Sequence, residues 1–428
     1  MQQVVRQWRA VDPAVDDLGT LIAARRPGYS LPAALYTGTA AFEADVDVVF
    51  HRHWIVVGVE ADVPEPGDVY AVDIGPTPIV LVRDDAGEIR AFHNTCSHRG
   101  AKIVPSGRAI VGKLVCPYHQ WTYELTGELT GAPHMGLDFD KALHHLQPIH
   151  LRNVAGIIYV CLSNDPPQDM DDFVAAMTPR IAPYDLANTK IAYETDIVED
   201  GNWKLTMENN RECYHCAGNH PELALSFHSS DFGFDPTDLS DDERADAEHL
   251  AATYAERTAQ WEACGLPSEA IDHVAGHATQ FRSQRLIIAG AGESQTLDTR
   301  AAVRVPLSEA VATGTGDMHL WTVNGWNHFM GDHAVVFMVL PLGTDKTLVR
   351  TKWLVHKDAE EGEDYDLANL ISVWTDTNRE DAALVKIAHE GAMSAGYRPG
   401  PYSRFTERTL DDWCTWYIER MQASGYGV

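Results

Sequence analysis

Two cysteines and two histidines lie close together in residues 96–119. Their spacing is Cys96-x-His98 and Cys116-x-x-His119, so each of two short segments offers one thiolate and one imidazole. This ligand set suits a zinc ion, or an iron–sulfur cluster in which histidines replace cysteines on one iron. Zinc motifs seldom use this spacing, so the pattern favours the cluster.

A second pair of histidines lies in the segment at 201–223. His215 and His220 are five residues apart, about 140° around an ideal helix, so they cannot share a face of one unbroken helix. Gly218 allows the chain to break and Pro221 prevents simple continuation. We therefore predict that His215 lies in the last turn of a helix and His220 in the loop that follows.

Two imidazoles and one carboxylate form the ligand set of non-haem Fe(II) oxygenases, which leaves positions on the iron open for O2. The carboxylate must come from elsewhere in the chain. We select Asp381, in the predicted helix of segment 378–403. Glu380 is adjacent and is the alternative ligand.

These two constellations, with the sequence CPYHQW at 116–121, resemble the large (α) subunit of Rieske ring-hydroxylating oxygenases over nearly the full chain. The resemblance implies a Rieske [2Fe–2S] cluster and a separate mononuclear Fe(II), with O2 as co-substrate. The implied cluster ligands are Cys96 and Cys116 on one iron and His98 and His119 on the other, and the implied Fe(II) ligands are His215, His220 and Asp381.

The resemblance also implies how electrons travel. Tyr118 is expected to donate a hydrogen bond to a ligating sulfur. Glu212 is expected to bridge the mononuclear site to a cluster histidine of a neighbouring subunit in a homotrimer. Most members of the family have Asp at the position of Glu212, and we expect the longer side chain to reach as well.

The fold implied is α+β, with a Rieske β-sandwich domain and a helix-grip (START-like) catalytic domain built on an antiparallel sheet. The expected boundaries are 1–50 for an N-terminal helical part of the catalytic domain, 51–163 for the Rieske domain and 164–428 for the catalytic domain. Sequence patterns agree with this. Apolar segments alternate with Gly, Pro and Asp turns from Trp54 to about Val160, which predicts short antiparallel strands. Elsewhere the patterns predict a helix from Thr39, a capped helix after Ser240, a hairpin over 334–355, and helices over 377–395 and 410–421.

The segments ENNRECYHCAGNHPEL, VRTKWLVHKDAEEGEDYD and YRPGPYS resemble the branch of this family that acts on quaternary ammonium compounds, with glycine betaine monooxygenases and stachydrine demethylases as the most similar members. This implies N-methyl hydroxylation, with glycine betaine giving dimethylglycine and formaldehyde. Stachydrine, carnitine or choline oxidation and aromatic ring hydroxylation are the alternatives.

Aromatic side chains near the predicted iron site are candidates for a cation cage, since a trimethylammonium group donates no hydrogen bond. The candidates are Trp321, Trp326, Phe329 and Trp374, and packing in the core is the alternative for each. Glu208 and Asn209 are expected to face the iron pocket or to hold their helix by hydrogen bonds.

Composition limits the partners. Lys and Arg number 33 against 62 Asp and Glu, a net charge of −29, which disfavours nucleic acid and anionic membrane surfaces. Seven cysteines in 428 residues predict a cytoplasmic protein without a disulfide framework, and Cys213 and Cys216 are expected to be two thiols. No G-x-G-x-x-G unit is present, so a separate flavin and iron–sulfur reductase should carry electrons from NAD(P)H. A Rieske electron carrier without catalysis and a zinc-stapled binding protein are the competing classes.

Overall fold

The computed structural model describes residues 17–228, 231, 233–312 and 314–427. Between residues 55 and 161, ten short strands form three small antiparallel sheets. The strands are β1 (Ile55–Val59), β2 (Asp68–Ile74), β3 (Thr77–Arg83), β4 (Ile89–His93), β5 (Gly107–Ile110), β6 (Leu114–Val115), β7 (Thr122–Tyr123), β8 (Leu129–Gly131), β9 (His150–Val154) and β10 (Ile157–Cys161). Their orders are β1-β10-β9, β4-β3-β2-β5 and β6-β7-β8. The turn between β6 and β7 carries Cys116 and His119, so this module positions the second half of the Cys/His set.

One seven-stranded antiparallel sheet forms the rest of the β structure. Its strands are β11 (Thr189–Glu199), β12 (Ile271–His273), β13 (Phe281–Leu286), β14 (Asp317–Thr322), β15 (Gly325–Phe329), β16 (Ala334–Gly343) and β17 (Lys346–His356). They lie in the order β11-β17-β16-β15-β14-β13-β12. The predicted hairpin over 334–355 is the β16–β17 pair, and the α+β class with an antiparallel catalytic sheet is confirmed.

Nine α-helices belong to the described part of the chain. They are α1 (Leu18–Ala23), α2 (Ala33–Thr37), α3 (Thr39–Asp45), α4 (Met170–Ile181), α5 (Trp203–Asn210), α6 (Cys216–Asn219), α7 (Asp241–Ala263), α8 (Leu367–Ala392) and α9 (Arg408–Ala423). Helix α8 begins ten residues before the predicted start at Thr377, because the Asp366 side chain caps it by accepting from the Asn369 amide. None of the helices in the described ranges is long and apolar enough to cross a bilayer.

The large sheet separates two hydrophobic cores. Strand β16 is apolar at nearly every position and buried on both faces. Val335 and Phe337 point into a core that also contains α2, α3, α8 and α9, whereas Val336 and Met338 point into a core shared with α4. The face on the first side carries the candidate iron site.

The Rieske module is joined to this sheet through buried polar contacts. Lys352 of β17 lies 2.6 Å from Oδ1 of Asp62, and both side chains are fully buried. Asn324, in the β14–β15 turn, accepts a hydrogen bond from the Val56 amide and donates one to its carbonyl. A Cβ at the next residue, Gly325, would lie 2.4 Å from the Phe337 carbonyl oxygen, so only glycine allows this close approach.

The predicted domain boundaries at residues 50 and 163 remain predictions. The first sixteen residues of the N-terminal segment lie outside the described residues. From Leu18 to Phe50, the buried apolar residues other than Val46 belong to the same core as the catalytic sheet and helix α9.

Candidate metal centres and substrate pocket

The two segments that carry the Cys/His set fold into loops with the same backbone pattern. The Cys96 amide donates to the Ala101 carbonyl and the Gly100 amide donates back to the Cys96 carbonyl. In the second loop the Cys116 and Gln120 amides make the corresponding bonds to the carbonyls of Trp121 and Cys116. The residue at the tip is left-handed in both, with φ of 74° at Gly100 and 61° at Gln120. Equivalent loops present equivalent ligands, as a cluster with two ligands from each segment requires.

The donor atoms of these loops fit a [2Fe–2S] cluster. Both sulfurs are buried, and the rings of His98 and His119 lie side by side with centroids 4.6 Å apart. Nδ1 of His119 is buried, and within the described ranges it has no hydrogen-bond partner. A buried nitrogen with a free lone pair is costly unless a metal or a donor occupies it. The four side chains that the sequence selects therefore converge on one point at the module surface.

A tyrosine that the sequence analysis missed contacts the ligating sulfur. The Tyr123 hydroxyl lies 3.3 Å from Sγ of Cys96, and burial together with this contact raises its pKa to about 12. It therefore stays protonated as a donor. Tyr118 instead is exposed and stacks on His119, with centroids 4.0 Å apart. The expectation for Tyr118 is wrong because its side chain points outward from the loop.

The second pair of histidines brackets a single helical turn. Helix α5 ends at Asn210, and His215 and His220 flank the short helix α6 on either side. The prediction that His215 lies in the last turn of a longer helix is therefore wrong. The Gly218 amide donates to the His215 carbonyl and the His220 amide to the Cys216 carbonyl, and this turn directs both rings toward helix α8.

Three ligand atoms converge at this point. Nε2 of His220 lies 3.0 Å from Oδ1 of Asp381, and Nε2 of His215 lies 3.4 Å from the same oxygen. Two ligand atoms held at right angles, each ~2.1 Å from a metal ion, would be ~3.0 Å apart. His220 Nε2 and Asp381 Oδ1 are buried without a properly oriented hydrogen bond to any described residue. The set therefore fits one metal ion with three ligands on one side.

Each histidine is held from behind by a glutamate. Oε1 of Glu212 lies 2.6 Å from Nδ1 of His215, and Oε2 of Glu380 lies 2.8 Å from Nδ1 of His220. A carboxylate on Nδ1 fixes the ring and turns the lone pair of Nε2 toward the metal. Glu380, the alternative ligand, thus lies behind His220 rather than beside Asp381.

The charges around His215 favour a cation. Burial lowers its pKa, but the carboxylates of Asp381 and Glu212 outweigh burial and raise the pKa to about 9. Carboxylates that stabilise a proton on the ring also stabilise a metal ion in its place. Cys216 is another side chain nearby of a type that can bind a metal ion, and its Sγ lies 4.0 Å from Nε2 of His215.

Cys213 and Cys216 form a disulfide bond, so the prediction of two thiols is wrong. The turn after helix α5 brings their Cα atoms to 4.9 Å, within the range that a disulfide needs. A sulfur committed to this bond is not a thiolate ligand, so Cys216 does not compete with Asp381, the candidate third donor.

A cavity of about 390 Å3, counting its open mouth, adjoins the three ligands. Of the predicted substrate residues, Asn209, Trp321 and Trp374 line it. The Asn209 amide nitrogen lies 3.4 Å from Nε2 of His215. Trp321 is fixed by a hydrogen bond from its indole N–H to the Asn210 carbonyl.

The other three candidates lie away from the cavity. Phe329 projects from the opposite face of the sheet and packs in the second core beside Tyr184. Trp326 shares the face of Trp321 but stacks on Phe337. The Glu208 carboxylate accepts hydrogen bonds from the hydroxyls of two tyrosines, Tyr36 and Tyr402, which fits the role of holding its helix.

Sequence reasoning missed two histidines in the cavity wall. His319 and His328 pair across the β14–β15 hairpin, next to the pair Trp321 and Trp326. The alternation of side chains along a strand could have identified these histidines, because residues two apart on a strand point to the same face of the sheet. Taking 317–322 and 325–329 as strands would have placed His319 beside Trp321 and turned Phe329 away. Phe227 also lines the cavity.

Comparison with known proteins agrees with this organisation. Residues 53–143 match the Rieske [2Fe-2S] domain, and residues 186–423 match the ring hydroxylating alpha subunit catalytic domain. The glycine betaine monooxygenase oxygenase subunit of Chromohalobacter salexigens is 41% identical over 95% of this chain and 89% of its own length. That of Pseudomonas aeruginosa is 39% identical over 96% and 93%.

Solved structures share the fold. A quaternary ammonium Rieske monooxygenase in complex with L-carnitine superposes with a TM-score of 0.66 over 94% of this chain and 98% of its own, at 20% identity. A naphthalene 1,2-dioxygenase from Rhodococcus superposes with a TM-score of 0.65 over 92% and 95%, at 18% identity. A catalytic domain beyond the cluster excludes the electron-carrier and zinc-protein classes. The chain therefore belongs to the Rieske ring-hydroxylating oxygenase α subunits, enzymes whose cofactors are a [2Fe–2S] cluster and a non-haem Fe(II).

Proposed function

We propose that this chain is the oxygenase component of a monooxygenase that removes an N-methyl group from glycine betaine, giving dimethylglycine and formaldehyde. Two relatives of about two-fifths identity over nearly the full length carry that activity in their names. Relatives named for carnitine are 28–31% identical and align with less than half of this chain. The degree of similarity therefore favours glycine betaine over carnitine as the substrate.

The observation that carries the proposal is an apolar, aromatic cavity directly beside the three metal ligands. Trp374, Phe227 and Leu223 line the cavity together with His215 and Asp381. A trimethylammonium group is recognised by aromatic faces and dispersion rather than by hydrogen bonds. Such a wall would hold the N-methyl groups close to the metal.

The residues of this chain perform three tasks in the proposed reaction. His215, His220 and Asp381 would hold the Fe(II), and Glu212 and Glu380 orient the two imidazoles. The cavity wall holds the substrate and limits the entry of water. When bound, the metal centres supply the electrons and activate O2 for insertion into a C–H bond.

The overall reaction balances as a monooxygenation. Betaine, O2, two electrons and two protons give the N-hydroxymethyl compound and water. The N-hydroxymethyl compound then loses its hydroxyl proton to water and releases formaldehyde, and the electron pair of the broken C–N bond stays on nitrogen, leaving dimethylglycine. We also infer a separate NAD(P)H-dependent flavin and iron–sulfur reductase, a homotrimer in which Glu212 passes electrons from a neighbouring cluster, and a cytoplasmic location.

A turnover assay tests the proposal. The purified protein, a competent Rieske reductase and NADH are incubated with glycine betaine, stachydrine, carnitine, choline and benzoate in parallel, and formaldehyde and the organic product are measured. We expect formaldehyde and dimethylglycine in equal amounts from glycine betaine, at the highest kcat/KM of the panel. A higher kcat/KM for another betaine would reassign the substrate. A diol from benzoate without formaldehyde from any amine would refute N-demethylation.

A further inference from the structure

Four rings in close contact form one wall of the cavity. Trp321 and His319 have centroids 3.5 Å apart, His319 and His328 4.0 Å, and His328 and Trp374 4.5 Å. The two tryptophans at the ends are apolar surfaces, whereas the two imidazoles between them carry polar atoms. This wall therefore places hydrogen-bonding groups within an otherwise aromatic cavity.

His319 has two polar atoms with nothing to bind. Its side chain is 4% exposed and lines the cavity, and both ring nitrogens lack a hydrogen-bond partner among the described residues. A buried donor that stays unpaired lowers the stability of the folded protein. A protein keeps such a group in a binding cavity when a ligand pairs with it.

Positive groups lie close to His319, and the nearby Asp317 carboxylate accepts hydrogen bonds from His328 and Gln295. Burial, followed by His328 and the charges of Arg211 and Arg282, holds the pKa of His319 well below its ordinary value. The ring is therefore neutral and keeps one N–H donor. Arg282 lies over the Trp321 ring at 5.5 Å, and Arg211 donates to the Thr322 carbonyl. A neutral donor with cationic groups behind it suits an anionic acceptor.

His328 is a positioning residue for this donor. Its Nδ1 donates to Oδ2 of Asp317 at 2.7 Å, and Gln295 donates to the same oxygen at 3.1 Å. The Gln295 oxygen accepts from the indole N–H of Trp374 at 2.7 Å. This buried network fixes the His328 ring, and the stacked His319 ring lies against it.

From this arrangement we infer that His319 binds the carboxylate of a zwitterionic substrate and thereby selects carboxylate-bearing quaternary amines over those that lack the group. The inference rests on the proposed function and assigns the anionic end of the substrate to one residue. Glycine betaine has only acceptor oxygens at that end, which matches an unpaired N–H donor.

A second metal ion is the competing occupant, since ligand atoms of Asp317, His319 and His328 lie within 4.8 Å of one another. The Asp317 oxygen nearest to His328 already accepts two hydrogen bonds, from that ring and from Gln295. Nδ1 of His328 is committed to it as a donor. These contacts favour an anion at His319 over a cation shared by the three residues.

The test is equilibrium binding, by calorimetry on the anaerobic holoprotein, of glycine betaine and of choline, which has the same trimethylammonium group but no carboxylate. We expect the wild-type protein to bind glycine betaine at least tenfold more tightly than choline. His319→Phe keeps the ring and removes the donor, and should weaken betaine binding by about 10- to 100-fold while changing choline binding less than threefold. His319→Gln restores a donor and should recover part of the loss.

His333 provides the matched control. It is a fully buried histidine whose Nδ1 lies 3.1 Å from Asp332, outside the cavity lining, so His333→Gln should leave both dissociation constants unchanged. Equal losses of betaine and choline binding in His319→Phe, or no loss, would overturn the inference while leaving demethylation intact. A metal beyond the cluster and the Fe(II), lost in His319→Phe, would overturn it in favour of a cation. Wild type that neither binds nor demethylates any betaine would refute the proposed function as well.

Discussion

Oε1 of Glu212 lies 2.6 Å from Nδ1 of His215, three residues further along the chain. The contact places one carboxylate directly behind an imidazole of the candidate iron site. Glu212 also lines a neighbouring surface cavity with Arg211 and Thr409. Its side chain therefore lies between the candidate iron site and the protein surface, as the proposed electron transfer from a neighbouring subunit requires.

Glu212→Gln keeps the size of the side chain but removes its charge. We expect the content of both metal centres to change little, because neither set of proposed ligands is altered. Transfer of an electron to the mononuclear site should slow by at least tenfold, since the charged hydrogen bond to His215 is roughly twice as strong as a neutral one. Single-turnover stopped-flow absorbance of the reduced cluster measures this rate. An unchanged rate would remove the bridging role.

Tyr123→Phe removes the hydroxyl next to Sγ of Cys96. Hydrogen bonds to ligating sulfurs raise the reduction potential of a cluster by stabilising its reduced form. Loss of one such bond, worth about 1 kcal/mol, should lower the potential by about 40 mV for one electron. Protein-film voltammetry measures the shift. Tyr118→Phe is the control, and an equal shift there would show that Tyr118 also acts on the cluster.

Trp374→Leu opens one aromatic side of the cavity. It should weaken binding of glycine betaine by about 3- to 30-fold, the range of a cation–π contact. Binding of 3,3-dimethylbutanoate, which replaces the cationic nitrogen by carbon and keeps the carboxylate, should change much less. Calorimetry with both ligands measures the difference. As a control, Trp326→Leu changes a tryptophan on the same sheet face but outside the cavity, and should affect the binding of neither ligand. If Trp374→Leu weakened the binding of both ligands equally, Trp374 would contribute packing alone.

Glu208 predicts a pH dependence of stability. Burial raises the pKa of this carboxyl to about 7, despite hydrogen bonds from Tyr36 and Tyr402. Between its ordinary pKa and about 7 the folded state holds the proton more tightly than the unfolded state, so this group makes the protein less stable as pH rises. Glu208→Gln removes the ionisation. The melting temperature of the variant relative to wild type should therefore rise between pH 5 and pH 8. A constant difference would contradict the assignment.

Much of the metal chemistry was predictable from sequence because ligand types and short spacings are local properties. The predicted cluster ligands lie close together, namely Cys96, His98, Cys116 and His119. The histidines His215 and His220 likewise lie next to Asp381, which is distant in sequence. The choice between Asp381 and Glu380 was not local, since both lie on helix α8 and both contact the histidine pair. Only the packing of α8 against α6 decides which one faces the metal.

The errors arose where direction mattered more than composition. Tyr118 and Tyr123 lie in the same short segment, and the fold of the loop decides which hydroxyl meets a sulfur. Phe329 is aromatic like Trp321, but strand alternation sends it into the opposite core. His319 has no sequence partner that marks it as functional. Its role depends on a cross-strand neighbour and on charges from other elements.

The most direct test of the proposed iron site is the iron and acid-labile sulfide content of the Asp381→Ala variant beside wild type and Glu380→Ala. Wild type should hold about three irons and two sulfides per chain. Asp381→Ala should keep the red-brown cluster spectrum with about two irons and two sulfides, and lose turnover. Glu380→Ala should keep most of the third iron. A full third iron with normal turnover in Asp381→Ala would contradict the two-histidine, one-aspartate site.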